Sequence, residues 1–223
     1  MEADHAWKIK LEWTHKENTL RERRRTQVDV IAKGQNNLIL MECKFTEQDG
    51  GSCSQIKTLQ DETLEGKPQC DGRYRLQTNP LNNVQAECAL SGKGIQYWNL
   101  IPHIFDLNSL RKKEECVFRG SWFQWMRNLV LCKELARTSN QRTKFVVVYV
   151  DSPKMPFRQK LASSDWVEFL GALYDKTIIG ILSYERILEL GINSLKPFEN
   201  EWQTWVALKA HVKSKIAAVE SGR

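Results

Sequence analysis

Two short apolar segments, Thr26–Ala32 and Leu38–Phe45, flank a polar cluster running from Lys33 to Asn37, and together they commit the chain to a β-hairpin near its start. Successive side chains on a strand leave opposite faces of the sheet. Asp29 therefore lies on the face opposite to Val28 and Val30, whereas Glu42 and Lys44, two residues apart, share a face. A carboxylate and an ammonium on a buried strand are costly to desolvate unless they are paired or ligate a metal. The hairpin thus points to ionic chemistry built on a sheet; the alternative is an edge hairpin with a solvated Glu–Lys pair.

The remaining elements follow from periodicity. Trp7–Trp13 alternates strictly, placing Trp7, Ile9, Leu11 and Trp13 on one face of a first strand, and with the hairpin this makes a three-stranded meander. Residues 48–119 are rich in Gly, Asn, Gln and Pro with little periodicity and read as an irregular insertion. From an N-cap at Ser121 the run to Arg137 has helical spacing and no Gly or Pro. Trp122, Met126, Leu129 and Val130 form its apolar side, and Gln124, Arg127 and Asn128 share a second side with Leu131 and Leu135. Phe145–Val150 suits a buried central strand, Ser164–Tyr174 a capped helix, Thr177–Tyr184 a further strand and Glu199–Lys215 a closing amphipathic helix. A length of 223 residues is expected to fold as one domain, 1–223, with 48–119 inserted in it.

Asp29, twelve intervening residues, then Glu42-Cys43-Lys44 resembles the signature of the PD-(D/E)XK nuclease superfamily, with valine where the name has proline. The resemblance implies an α/β, restriction-endonuclease-like αβββαβ core with a mixed sheet. It further implies that Asp29 and Glu42 hold Mg²⁺ or Mn²⁺, that the Cys43 carbonyl is a further ligand, and that Lys44 orients or activates the attacking water. The residue types suit that chemistry: Mg²⁺ takes hard oxygen ligands and keeps several waters, and a neighbouring cation stabilises charge on phosphoryl oxygens. On the helix after the hairpin, a glutamine that helps the site is matched by Gln124, with Arg127 a lesser candidate; the tyrosine of the exonuclease branch's QxxxY pattern is replaced by Asn128. The family core normally opens with a helix that supplies a glutamate. Only six residues precede the first strand here, so either the reading frame is short at its start or another acid substitutes, with Glu12, on that strand's polar face, the available candidate.

Composition agrees with such a reading. A net charge of +6 and a sequence pI near 9.0 favour a polyanionic partner, DNA in this reading. Arg21, Arg23, Arg24 and Arg25 crowd the segment before the Asp29 strand, where they either contact phosphates or form a solvated turn. The longest apolar stretch, Phe145–Val150, is too short to span a bilayer and no signal-peptide pattern is present, so a cytoplasmic protein is the expectation, with no membrane partner. Dimerisation, common in the superfamily, is an expectation by analogy.

Six cysteines in a reducing compartment leave metal binding or burial as their uses. Cys43 and Cys132 suit burial. Cys53, Cys70, Cys88 and Cys116 fall within the irregular region, where a zinc ion or an iron–sulfur cluster would hold it together, although none forms a CxxC pair. The four histidines show no paired ligand spacing, Ser91–Gly94 lacks the remainder of a phosphate-binding loop, and no GxSxG elbow occurs. The sequence therefore favours a Mg²⁺-dependent deoxyribonuclease. The alternatives are a non-cleaving nucleic-acid-binding module of the same fold and an interaction protein organised by a cysteine-bound metal.

Overall fold

A computed structural model describes residues 6–56, 70, 88–110, 116–195, 197 and 200–221. Five strands lie side by side in chain order: β1 (Lys8–Thr14), β2 (Gln27–Lys33), β3 (Asn37–Lys44), β4 (Arg142–Tyr149) and β5 (Ile179–Ser183). The first three are antiparallel, and β3, β4 and β5 are parallel. Antiparallel neighbours need only a turn, and Gly34 N–H donates to the Asn37 carbonyl at 2.9 Å to close the one between β2 and β3. Parallel neighbours need a crossover, usually helical. Helices α1 (Ala89–Gly92), α2 (Tyr97–Leu100), α3 (Leu107–Leu110) and α4 (Phe123–Ser139) lie between β3 and β4, and α5 (Pro156–Leu161) and α6 (Ser164–Gly171) between β4 and β5. Helices α7 (Tyr184–Asn193) and α8 (Asn200–Glu220) follow. The α/β architecture with a mixed sheet is the one the sequence led us to expect, and it is compatible with a restriction-endonuclease-like core.

Strand β4 is buried continuously from Phe145 to Val148, as a central parallel strand covered on both faces must be. Its Phe145 ring meets Trp125 of α4 at 6.2 Å, and Trp125 in turn packs against Phe157 and Trp166 at 5.5 and 6.1 Å. Both sides assigned to α4 are largely buried: Trp122, Met126, Leu129 and Val130 lie in the core, and so do Asn128, Leu131 and Leu135 of the second side. This aromatic packing fixes α4 against β4, the neighbour of β3 in the sheet.

Several expectations need correction. Ser121 does not cap α4; its hydroxyl donates to Asp165 Oδ2 at 2.7 Å, while Gln124 N–H in the first turn of α4 donates to the Gly50 carbonyl at 2.7 Å. The apolar face of β1 is largely uncovered among the described residues, with Ile9 65% and Leu11 71% exposed. The segment read as a strand over 177–184 divides, because Ser183 caps a helix by accepting from Arg186 N–H at 3.1 Å, and Tyr184 begins α7. Helix α8 buries no side chain fully. Of the region expected as an insertion, 57–69, 71–87 and 111–115 lie outside the described residues, and the described rest holds the three short α-helices α1, α2 and α3 and three single 3-10 turns. Among the described residues no helix is long and apolar enough to cross a membrane.

Candidate active site

The register between β2 and β3 ends at Val30 opposite Met41, so the next positions outward are Asp29 and Glu42. There the side chain takes over from the ladder: Asp29 Oδ2 accepts the Cys43 N–H at 2.6 Å. This ties Asp29 to β3 one residue beyond Glu42. Glu42 and Lys44 share a face, each only 5% exposed, with Lys44 Nζ 3.2 Å from Glu42 Oε1. Helix α4 completes the cluster from above. Gln124 Oε1 accepts from Lys44 Nζ at 2.9 Å, and its amide nitrogen donates to Glu42 Oε1. Asn128, four residues on and therefore on the same side of the helix, donates to Glu42 Oε2 at 3.4 Å. The Trp125 ring lies 5.6 Å from the Lys44 ammonium, within cation–π range.

Burial raises the Glu42 carboxyl above its ordinary value; the Lys44 ammonium pulls the other way and the negative charge of Asp29 adds to the rise. The structure thus brings together Asp29, Glu42, Lys44 and Gln124, with the Cys43 backbone between the two β3 ions. The sequence places Asn128 on the same side of the helix as Gln124 and in place of the QxxxY tyrosine, but does not mark it as a site residue. Glu12 stays apart, exposed and accepting from Gln27 on the neighbouring strand.

Asp29 and Gln124 are half-buried, and Gln124 opens onto a cleft of about 580 Å³, within the range of ligand sites. Arg23, Arg24, Lys93 and Arg127 line it, whereas Arg21 and Arg25 are exposed and outside its lining. One carboxylate shapes this wall. Buried Glu22 accepts from Thr26 N–H and hydroxyl, both at 2.6 Å, and from the Tyr97 hydroxyl. Arg127 then bridges Tyr97 Oη at 3.0 Å, Thr26 Oγ1 at 3.0 Å and Glu22 Oε1 at 3.4 Å. Glu22 and Tyr97 had no sequence signal as site residues.

The other candidate ligands lie elsewhere. Cys53, Cys70, Cys88 and Cys116 all line one cavity of about 30 Å³, and Cys43 and Cys132 are not part of it. Burial, with the neighbouring thiols adding to it, pushes Cys116 up to about 12 and raises Cys53 as well. Among the described residues there is no ready-made group of three or more His, Cys, Asp or Glu able to hold an ion.

Compared with known families, residues 2–205 match the model of the family described as Restriction Endonuclease associating with ARP. No curated protein and no solved structure matches the chain.

Proposed function

The chain belongs to that restriction-endonuclease family, and from this premise we propose that it hydrolyses DNA phosphodiester bonds with Mg²⁺ or Mn²⁺ at Asp29 and Glu42. The observation that carries the reading is the convergence of Asp29, Glu42, Lys44 and Gln124 at the mouth of the β2–β3 hairpin.

The donor set suits a hard divalent cation. Asp29 and Glu42 supply carboxylate oxygens, the Cys43 carbonyl is a third oxygen on the same strand, and no sulfur donor is required. Glu42, raised by burial and by Asp29, is a carboxylate whose charge a nearby cation would favour. When bound, such a cation supplies Lewis acidity at a phosphoryl oxygen and lowers the pKa of a coordinated water.

The protein's own groups do the positioning. Asp29 is held by the Cys43 N–H, which engages one oxygen and leaves the other for a ligand. Lys44 has three donors, of which Glu42 and Gln124 take two, so the third can reach a water or a phosphate oxygen. Gln124 holds both ends of the Glu42–Lys44 pair and faces the cleft, so it transmits the position of the substrate strand to the ions behind it. Arg23, Arg24 and Arg127 supply phosphate contacts that position the polymer without reading its sequence.

One observation favours a second reading, a DNA-binding module that does not cleave: Glu42 and Lys44 are buried and engaged with one another. Incubation with supercoiled plasmid and Mg²⁺ or Mn²⁺ separates the two. The parent is expected to nick or linearise the plasmid, and Asp29→Ala and Lys44→Ala to slow this by about 10²–10³-fold. Cutting that survives both substitutions would reject the site. Retarded plasmid without cutting under either metal would establish the binding module instead.

A further inference from the structure

Four cysteines distant in sequence, separated by sixteen, seventeen and twenty-seven intervening residues, line a single cavity. A small apolar thiol is a common core filler, and Cys132, fully buried in α4, is such a case. Core filling gives no reason for the other four to share one cavity. The backbone also helps to assemble it: Cys53 N–H donates to the Arg119 carbonyl at 3.1 Å, and Arg119 N–H donates to the Cys116 carbonyl at 3.0 Å. Cys88 stands at the N-cap of α1, the helix whose Leu90 lines the same cavity.

The size and chemistry of the space select among occupants. About 30 Å³ of free space is enough for a single ion. Apart from the thiols, Gln55 and Arg119, the wall is chiefly apolar, with Trp98, Ile101, Phe118 and Met126, and among the described residues it offers no carboxylate for Mg²⁺ or Ca²⁺. Four sulfur donors on the wall of one cavity suit zinc. The four thiols are not yet gathered as ligands among the described residues, so an ion would draw them inward from the cavity wall.

We propose that Cys53, Cys70, Cys88 and Cys116 bind one zinc ion as a tetrathiolate, and that this ion braces the wall of the cleft beside the hairpin. Gln55, Leu90, Tyr97 and Phe123 line both the cysteine cavity and the cleft, so a tightened cavity stiffens the cleft from behind. Tyr97 is the direct link, because its hydroxyl also contacts Glu22 and Arg127.

The test is elemental analysis of the intact chain, purified under reducing conditions with neither added metal nor chelator. About one zinc per chain is expected, and exchange for Co²⁺ should bring thiolate-to-cobalt charge-transfer absorption. Cys88→Ser and Cys116→Ser should each lose most of the zinc, while Cys132→Ser, whose thiol is outside the cavity, keeps it. Should the serine variants fail to fold, the parent still decides: stripping its metal should lower the melting temperature and expose four further thiols to a thiol reagent. The proposal is overturned by a parent that holds no zinc and gives no cobalt–thiolate band, by iron with cluster absorption, or by zinc retained in both cavity variants. Bound metal is read without reference to cleavage, so this outcome is independent of the nuclease proposal.

Discussion

Burial takes water from the Glu42 carboxylate, and Lys44 at 3.2 Å and Asn128 at 3.4 Å return only part of what is lost while Asp29 adds a like charge, so the carboxyl is raised from its ordinary value of 4.5. An acid raised on folding holds its proton more tightly in the folded chain. Its contribution to stability is therefore most favourable when protonated and declines as pH climbs through the ordinary value and past the raised one. Glu42→Gln removes the ionisable group but leaves the buried Lys44 ammonium without its carboxylate, so it tests the pH dependence and not the level of stability: in the presence of a chelator the parent's melting temperature should fall relative to the variant's as pH rises from 4.5 to neutrality. Thermal melts across a pH series check this, and a difference between parent and variant that does not change with pH would show that the folded site does not resist the charge. Adding Mg²⁺ should raise the parent's melting temperature and leave the variant's unchanged. Asp29, Glu42 and Lys44 were readable in sequence because a turn between two apolar runs is local information. Asn128 and Tyr97 were not, since they meet their carboxylates across 86 and 75 residues of chain, where no periodicity connects the partners.

The placement of Gln124 is decided one level up, by how the loop after β3 meets the start of α4. Gly50 donates to the Ser121 carbonyl at 3.1 Å and accepts from Gln124 N–H at 2.7 Å, so this loop serves as the cap of the helix. A Cβ at Gly50 would come within 2.5 Å of the Ser121 carbonyl oxygen and 2.6 Å of the Trp125 ring. Gly50→Ala therefore forces the helix start away from β3 and should cost about 1–3 kcal/mol, as overpacking does, measurable by denaturant unfolding. Wild-type stability in that variant would contradict the tight docking. Cleavage should suffer more than stability, because Gln124 moves with the helix start. The existence of α4 was legible from a long run without Gly or Pro, but its first residue was not, because a carbonyl from a distant loop replaces the expected serine cap. In the same way the alternation of β1 marked a strand without revealing that one apolar face would stay open to solvent. Helix α5 went unread because six residues carry too little period, and α7 because its capping Ser183 also ends β5.

Across the whole molecule a net charge of +6 is modest, and its effect depends on where the cations stand. Turning Glu22 inward, where Thr26, Tyr97 and Arg127 engage it, sets the course of the arginine run: Arg23 and Arg24 reach the cleft and Arg21 and Arg25 do not. The run itself was plain in the sequence, yet its phase was not, because an inward glutamate among arginines looks the same as an outward one until its buried partners are known. Each phosphate neutralised releases counterions, so binding to duplex DNA should fall with salt, by about 0.9 in logarithmic slope per contact. Arg23→Ala, Arg24→Ala and Arg127→Ala should each reduce that slope by about 1, whereas Arg21→Ala and Arg25→Ala should leave it near the parent's. Fluorescence anisotropy with a labelled duplex, in chelator so that nothing is cut, over a series of salt concentrations, measures all five. Equal losses at all five positions would mean that the polymer is drawn by diffuse charge and has no fixed path through the cleft. A loss confined to the three cleft arginines would instead align the phosphate backbone with Gln124, the cleft side chain in contact with both Glu42 and Lys44.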